Sequence, residues 1–189
     1  PGMSAQTLAD SRVLAHTRRW LERAVVGLNL CPFAKSVYAK EQVHYVVYDG
    51  TDQAEFLALL RGQLTELDAS DPQQRDTTLL IAPVLCPEFL DFNAMLARAQ
   101  RVLRKSGLEG VLQIASFHPG YVFADAAPED MANYTNRAPF PMLHLLREES
   151  VSRAVAAYPQ AQEIYGRNIA TLRTLGPLGW QALECGPPV

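Results

Sequence analysis

A chain of 189 residues, 48% hydrophobic and 20% charged, can bury a good-sized core and reads as one compact α/β domain over 1–189, with nothing disordered. A formal net charge of -3 argues against nucleic acid or an anionic membrane as the main partner, since those need a basic stripe, although a local basic pocket is compatible with it. No window approaches 18 uninterrupted apolar residues, the start lacks a signal peptide's apolar run, and three cysteines without a CxxC suit a reducing cytoplasm better than a disulfide scaffold or zinc ribbon.

Pro1-Gly2 before Met3 reads as a remnant of expression, so 1–4 is expected to be a flexible start. Residues 5–26 carry Leu14, Thr17, Leu21, Ala24 and Val25 at helical spacing, with Trp20 beside them and Arg18, Arg19 and Glu22 on the other side. The stretch Gly27-Leu28-Asn29-Leu30-Cys31-Pro32-Phe33-Ala34-Lys35 follows. Pro32 suits the first position of a helix, which would put Cys31 at the cap, facing unsatisfied amides and the positive end of the helix dipole. Those donors, with Lys35 one turn on, favour thiolate over thiol. A Cys before Pro also reads as a small buried residue between two elements.

Residues 42–48 (QVHYVVY), closed by Asp49-Gly50, read as a strand. Asp52 with Glu55 three residues on predicts a capped helix burying Phe56, Leu57, Leu60, Leu64 and Leu67. A polar loop over 68–75 leads to a buried strand at 77–83 (TTLLIAP). A second Cys-Pro pair, Cys86-Pro87, opens a helix over 88–105 that Gly107 stops. The third strand, 111–118 (VLQIASFH), looks central and puts His118 at its C-terminal end, the edge where ligands of open α/β sheets tend to sit.

Between His118 and Pro141 runs a long connection, HPGYVFADAAPEDMANYTNRAPFP, with one short helical candidate at 128–134; connections this long are often functional. A fourth strand is expected at 142–147, then helices at 150–157 and 159–172 ended by Gly176, with 177–189 a surface tail. The expected fold is a small two- or three-layer α/β sandwich on a mixed four-strand sheet. Its first three strands run parallel and the fourth returns antiparallel at an edge. The alternative is a ferredoxin-like or permuted ferredoxin-like α+β arrangement.

Four strings then stand out: Arg19 to Ala34 (RWLERAVVGLNLCPFA), Ser116-Phe117-His118-Pro119, Asn133-Tyr134-Thr135-Asn136-Arg137-Ala138-Pro139-Phe140-Pro141, and His144-Leu145-Leu146-Arg147-Glu148. With them the chain resembles the bacterial proteins grouped as domain of unknown function 1415, over about 19–176. The resemblance implies no particular reaction, and Cys86 lies outside the strings that carry it.

Three readings of the chemistry follow. In the first, an enzyme acting on a small anionic metabolite uses Cys31 as nucleophile and His118 or His144 as acid/base partner. Arg137 or Arg147 then binds the anion, and Lys35, Tyr134 and Asn136 complete the substrate site. In the second, His118, His144 and Glu148 hold zinc or non-haem iron. In the third, the 118–141 loop of a non-catalytic module grips a small anion or a protein partner. Each residue also has a plain structural reading: core histidines bonded to backbone, loop-shaping Asn and Tyr, and solvated or salt-bridged Lys and Arg.

Overall fold

Strands that are apolar on both sides must lie inside a sheet, and here those are the second and the fourth. β2 (Thr77–Ile81) is buried throughout, and β4 (Met142–Arg147) buries Met142, Leu143 and Leu145 completely. With β1 (Val43–Val47) and β3 (Leu112–Phe117) they form one mixed sheet in the order β1-β2-β4-β3. β1 and β2 are parallel, and β4 runs antiparallel to both β2 and β3. The expected antiparallel fourth strand is therefore present, but at the centre and not the edge. β3, which looked central, is an edge strand, half-exposed beyond Leu112. The mixed four-strand α/β architecture expected from the sequence is the one observed.

The computed structural model describes residues 4–189, so the reading of Pro1-Gly2 lies outside the described residues. Helices cover both faces, giving three layers. On one face α3 (Gln53–Ala69) and α4 (Phe89–Lys105) pack Phe56, Leu60, Leu64, Phe92 and Met95 against Leu80, Leu112, Leu143 and Leu145. On the other, α1 (Ala5–Trp20) and α6 (Ile164–Ala182) pack Trp20, Leu172 and Trp180 against Leu79, Ile81 and Met142. Each fully buried leucine contributes about 1.5–3 kcal/mol of transfer free energy.

Local chemistry sets the helix ends. Asp52 caps α3, its carboxylate accepting from the Ala54 and Glu55 amides at 2.8 and 3.2 Å. Glu55 does not complete the expected box; its carboxylate accepts from the Tyr48 hydroxyl, which also accepts from the Asp52 amide. Gly107 ends α4 in a left-handed conformation, φ 72°, open to glycine at little cost. α1 continues as a π-helical turn over Leu21–Val26 and closes at Gly27, where a Cβ would lie 2.3 Å from the Arg23 carbonyl oxygen. A short helix, α2 (Ala34–Ala39), leads to β1, and α5 (Glu148–Ala157) follows directly on β4.

The expected surface tail from 177 needs correction. Gly176 (φ 69°) breaks the helix, but Pro177 suits the start of a new helical stretch and the chain stays helical to Ala182. That stretch seats Trp180, 7% exposed, and brings Cys185, 1% exposed, into the second core. Among the described residues no helix is long and apolar enough to cross a membrane.

Candidate functional site

The Cys31-Pro32 pair does not open a helix at Pro32. Helix α2 begins at Ala34 with Phe33 as its cap and is only six residues long. Cys31 lies in the turn before it, half-buried, its carbonyl accepting from the Ala34 amide at 3.1 Å. Burial pushes the thiol pKa up, only partly countered by the Ala34 and Phe33 amides, so sulfur is held as thiol and not as the thiolate expected from the sequence. Lys35 lies on the exposed side of α2. The segment belongs to the α1/α6 layer: Leu30 packs in that core, and buried Asn168 of α6 donates to the Leu30 carbonyl at 2.7 Å.

His118 belongs to the opposite layer. Its ring packs against Phe89 and Phe92 of α4, with centroids 5.5 and 5.0 Å away. Nδ1 accepts from the Gly120 amide at 2.9 Å, which leaves Nε2 protonated to donate to the Cys86 carbonyl, also at 2.9 Å. Both nitrogens are thus spent on backbone, and burial lowers the ring's pKa. The bond ties the end of β3 to Cys86, a non-glycine residue held left-handed at φ 49°.

His144 sits mid-strand in β4, beside Leu79 and Ala115, on the face that looks toward α1 and α6. Burial alone lowers its pKa to about 4. Arg147 is at the far end of β4. Met142 pairs with Phe117 next to His118, whereas Arg147 pairs with Leu112, which sets the two ends roughly 17 Å apart at strand rise. There Nη2 of Arg147 donates to the carbonyls of Leu67, Ser70 and Arg75 at 2.8, 3.0 and 2.9 Å, closing the C-terminal end of α3. Glu148 begins α5 at that same end.

The sheet therefore separates Cys31 from His118, and a strand's length separates His118 from Arg147 and Glu148. Among the described residues no hydrogen bond joins the Cys31 sulfur to a histidine, and His118, His144 and Glu148 form no ligand set. Among the described residues no three His, Cys, Asp or Glu side chains are grouped as a metal centre would require.

The 119–137 loop is a different matter, because its polar side chains converge. Buried Asn133 accepts from the Phe123 amide and donates to the Ala127 carbonyl, at 2.9 and 2.8 Å. Asp130 caps the 3₁₀ turn Met131–Asn136 and pairs with Arg173 of α6 at 3.1 Å. Asn136 donates to the Ser116 carbonyl at 3.0 Å and accepts from the His118 amide, so it serves as a loop tie. Arg137 donates from Nε to the Tyr121 carbonyl at 3.0 Å and from Nη2 to the Pro128 carbonyl at 3.3 Å. Its guanidinium lies 4.5 Å above the Tyr134 ring, whose edge in turn meets Trp180.

Two recesses flank this loop. The smaller, about 250 Å³, lies between the loop and the end of α6, bounded by Pro119, Tyr134, Arg137, Trp180 and Cys185. None of its lining residues carries a carboxylate. Burial raises the Cys185 thiol to about 11, with Arg23 and Arg19 pulling it back and Glu184, which pairs with both arginines, raising it further, so the lining thiol is neutral. The larger, about 950 Å³, lies between the loop and the start of α4. Trp180 and Cys185 escaped the sequence reading because Gly176-Pro177 looks like a terminus, although Leu178, Trp180 and Leu183 beyond it keep apolar character.

Of the residues expected from the sequence, the structure brings together Tyr134 and Arg137, with Asn136 behind them. Cys31, Lys35, His144 and Arg147 lie elsewhere, and His118 faces the layer of α4. No match to the chain was found among curated proteins or among solved structures. A family model does match, over residues 12–182, and the chain belongs to that family, described as protein of unknown function (DUF1415).

Proposed function

We propose that this protein binds a small anionic ligand in the recess beside Arg137. One observation carries the reading: a half-buried guanidinium, stacked on Tyr134, borders a cavity of about 250 Å³ whose lining holds no carboxylate. Arg137 forms no ion pair among the described residues, and its Nη1 has no protein partner among them. The carbonyls of Tyr121 and Pro128 fix the other edge of the fork, so little side-chain freedom is lost on binding. Beside aromatic rings and half-shielded from solvent, the attraction between guanidinium and phosphate or carboxylate is strengthened. The size suits an anion of a few heavy atoms. The arrangement favours binding over covalent turnover, since the neutral Cys185 thiol has no base beside it among the recess residues. Three free thiols support a reducing, cytoplasmic setting.

The test is a thermal-shift series with inorganic phosphate, sulfate and acetate. A ligand at ten times its Kd should stabilise the protein by about 1.4 kcal/mol. That stabilisation should vanish in Arg137→Gln and persist in Cys31→Ser. Equal shifts in the wild type and Arg137→Gln would overturn the reading.

A further inference from the structure

The larger recess has the opposite chemistry. Phe89 of α4, Tyr121 and Phe123 form a continuous aromatic floor, with centroids 4.8 and 5.0 Å apart. Leu90 stands on its rim, 78% exposed. Glu88 and Asp91, also on the rim, are exposed and form no salt bridge among the described residues. No lysine, arginine or histidine lines it. Aromatic faces attract cations through their quadrupole, and two unpaired carboxylates beside them add a field of the same sign.

We propose that this groove docks a segment of a partner protein that presents an arginine or lysine flanked by apolar side chains. Charge complementarity selects the basic residue: its stem and head lie over Tyr121 and Phe123 while the charge meets Glu88 and Asp91. A neighbouring apolar side chain covers Leu90, which a free ammonium ion would leave bare. Val122, in the middle of the wall, uses neither its N–H nor its C=O within the described residues, so a passing chain has a backbone pair to meet. The groove shares no lining residue with the recess beside Arg137, although Arg137 holds the carbonyls of its Tyr121 and Pro128, and variants that leave Arg137 in place test the two readings separately.

The test is fluorescence anisotropy with a labelled peptide, Gly-Ser-Leu-Arg-Leu-Ser-Gly, titrated with the full chain. The same peptide with Glu in place of Arg should bind at least about tenfold more weakly, and so should the Arg peptide to the Glu88→Gln, Asp91→Asn double variant. Both substitutions are at exposed positions and keep side-chain shape, and circular dichroism checks the fold. Leu90→Ser should weaken binding as well, and saturating phosphate should leave it unchanged. Absence of binding at millimolar concentration, equal affinity for the Arg and Glu peptides, or indifference to the double variant would overturn the proposal. Full displacement by agmatine at the peptide's own Kd would make the occupant a free organic cation. A concentration-dependent dimer lost in Leu90→Ser would make it a second copy of this chain. Either outcome overturns the partner-segment proposal.

Discussion

One arginine ends β4 and another lies in the loop ahead of that strand; the sequence treats them alike, and the fold uses them in opposite ways. Arg147, at the C-terminal end, is built into the scaffold: its Nη2 serves three backbone carbonyls and the end of α3 closes over it, while its buried Nε has no partner among the described residues. Arg137, ahead of the N-terminal end, ties down a loop with two nitrogens, stacks on Tyr134 and borders a recess. The difference lies in what else is nearby. A helix C-terminus presents orphan carbonyls that hold a buried guanidinium without any ligand, whereas the aromatic surroundings of Arg137 support the cation but do not neutralise it. An arginine at a strand end is therefore read as scaffold or as binder only once its carbonyl partners have been counted.

Breaking the closed end should have the larger effect on stability. Arg147→Ala leaves the Leu67, Ser70 and Arg75 carbonyls without their shared donor, and we expect a loss of about 3 kcal/mol in urea unfolding, with phosphate binding of the surviving folded protein unchanged. A variant as stable as the wild type would mean that those carbonyls find water instead.

Between the two ends, His144 gives the strand an acid sensitivity. The unfolded residue takes up its proton near pH 6.5 and the folded one only near pH 4, so in that window the unfolded chain binds more protons and stability falls as pH falls. His118, also lowered by burial, acts with the same sign. Each histidine adds at most about 1.4 kcal/mol per pH unit to the slope, and His144→Gln should flatten it in urea titrations from pH 7 to 4. A slope identical in the wild type and His144→Gln would place the acid sensitivity elsewhere.

The smallest effect is expected at Cys31, away from both ends of the comparison. With burial raising its pKa, iodoacetamide at pH 7 should label it no faster than an unperturbed thiol. Rapid labelling there would restore the case for an activated sulfur.

Much of the scaffold was legible because its causes are local. Asp52 caps α3, Gly107 ends α4, and the apolar run through Met142–Arg147 marks β4 to the residue. The position of β4 inside the sheet was not legible, since pairing with β2 joins residues more than sixty positions apart and no local pattern encodes it. The dispersal of the expected site residues was illegible for a related reason. His118 looked like a catalytic base because its partners, the Cys86 carbonyl and Gly120 amide, are backbone groups that any sequence supplies. Trp180 was hidden behind Gly176-Pro177, a pair that marks helix ends far more often than a kink followed by six more helical residues. Arg137 and Tyr134 stood out because an arginine and aromatics in a long polar loop are themselves a local signal, and the fold stacks one on the other.

The claim that matters most is that Arg137 faces its recess as an anion-holding group. Calorimetric titration of inorganic phosphate into the wild type, Arg137→Gln and Arg147→Lys tests it directly. The account predicts one-to-one binding in the wild type and in Arg147→Lys, and at least about a tenfold loss of affinity in Arg137→Gln. Phosphate binding that is absent from the wild type, or that survives Arg137→Gln undiminished, would contradict it.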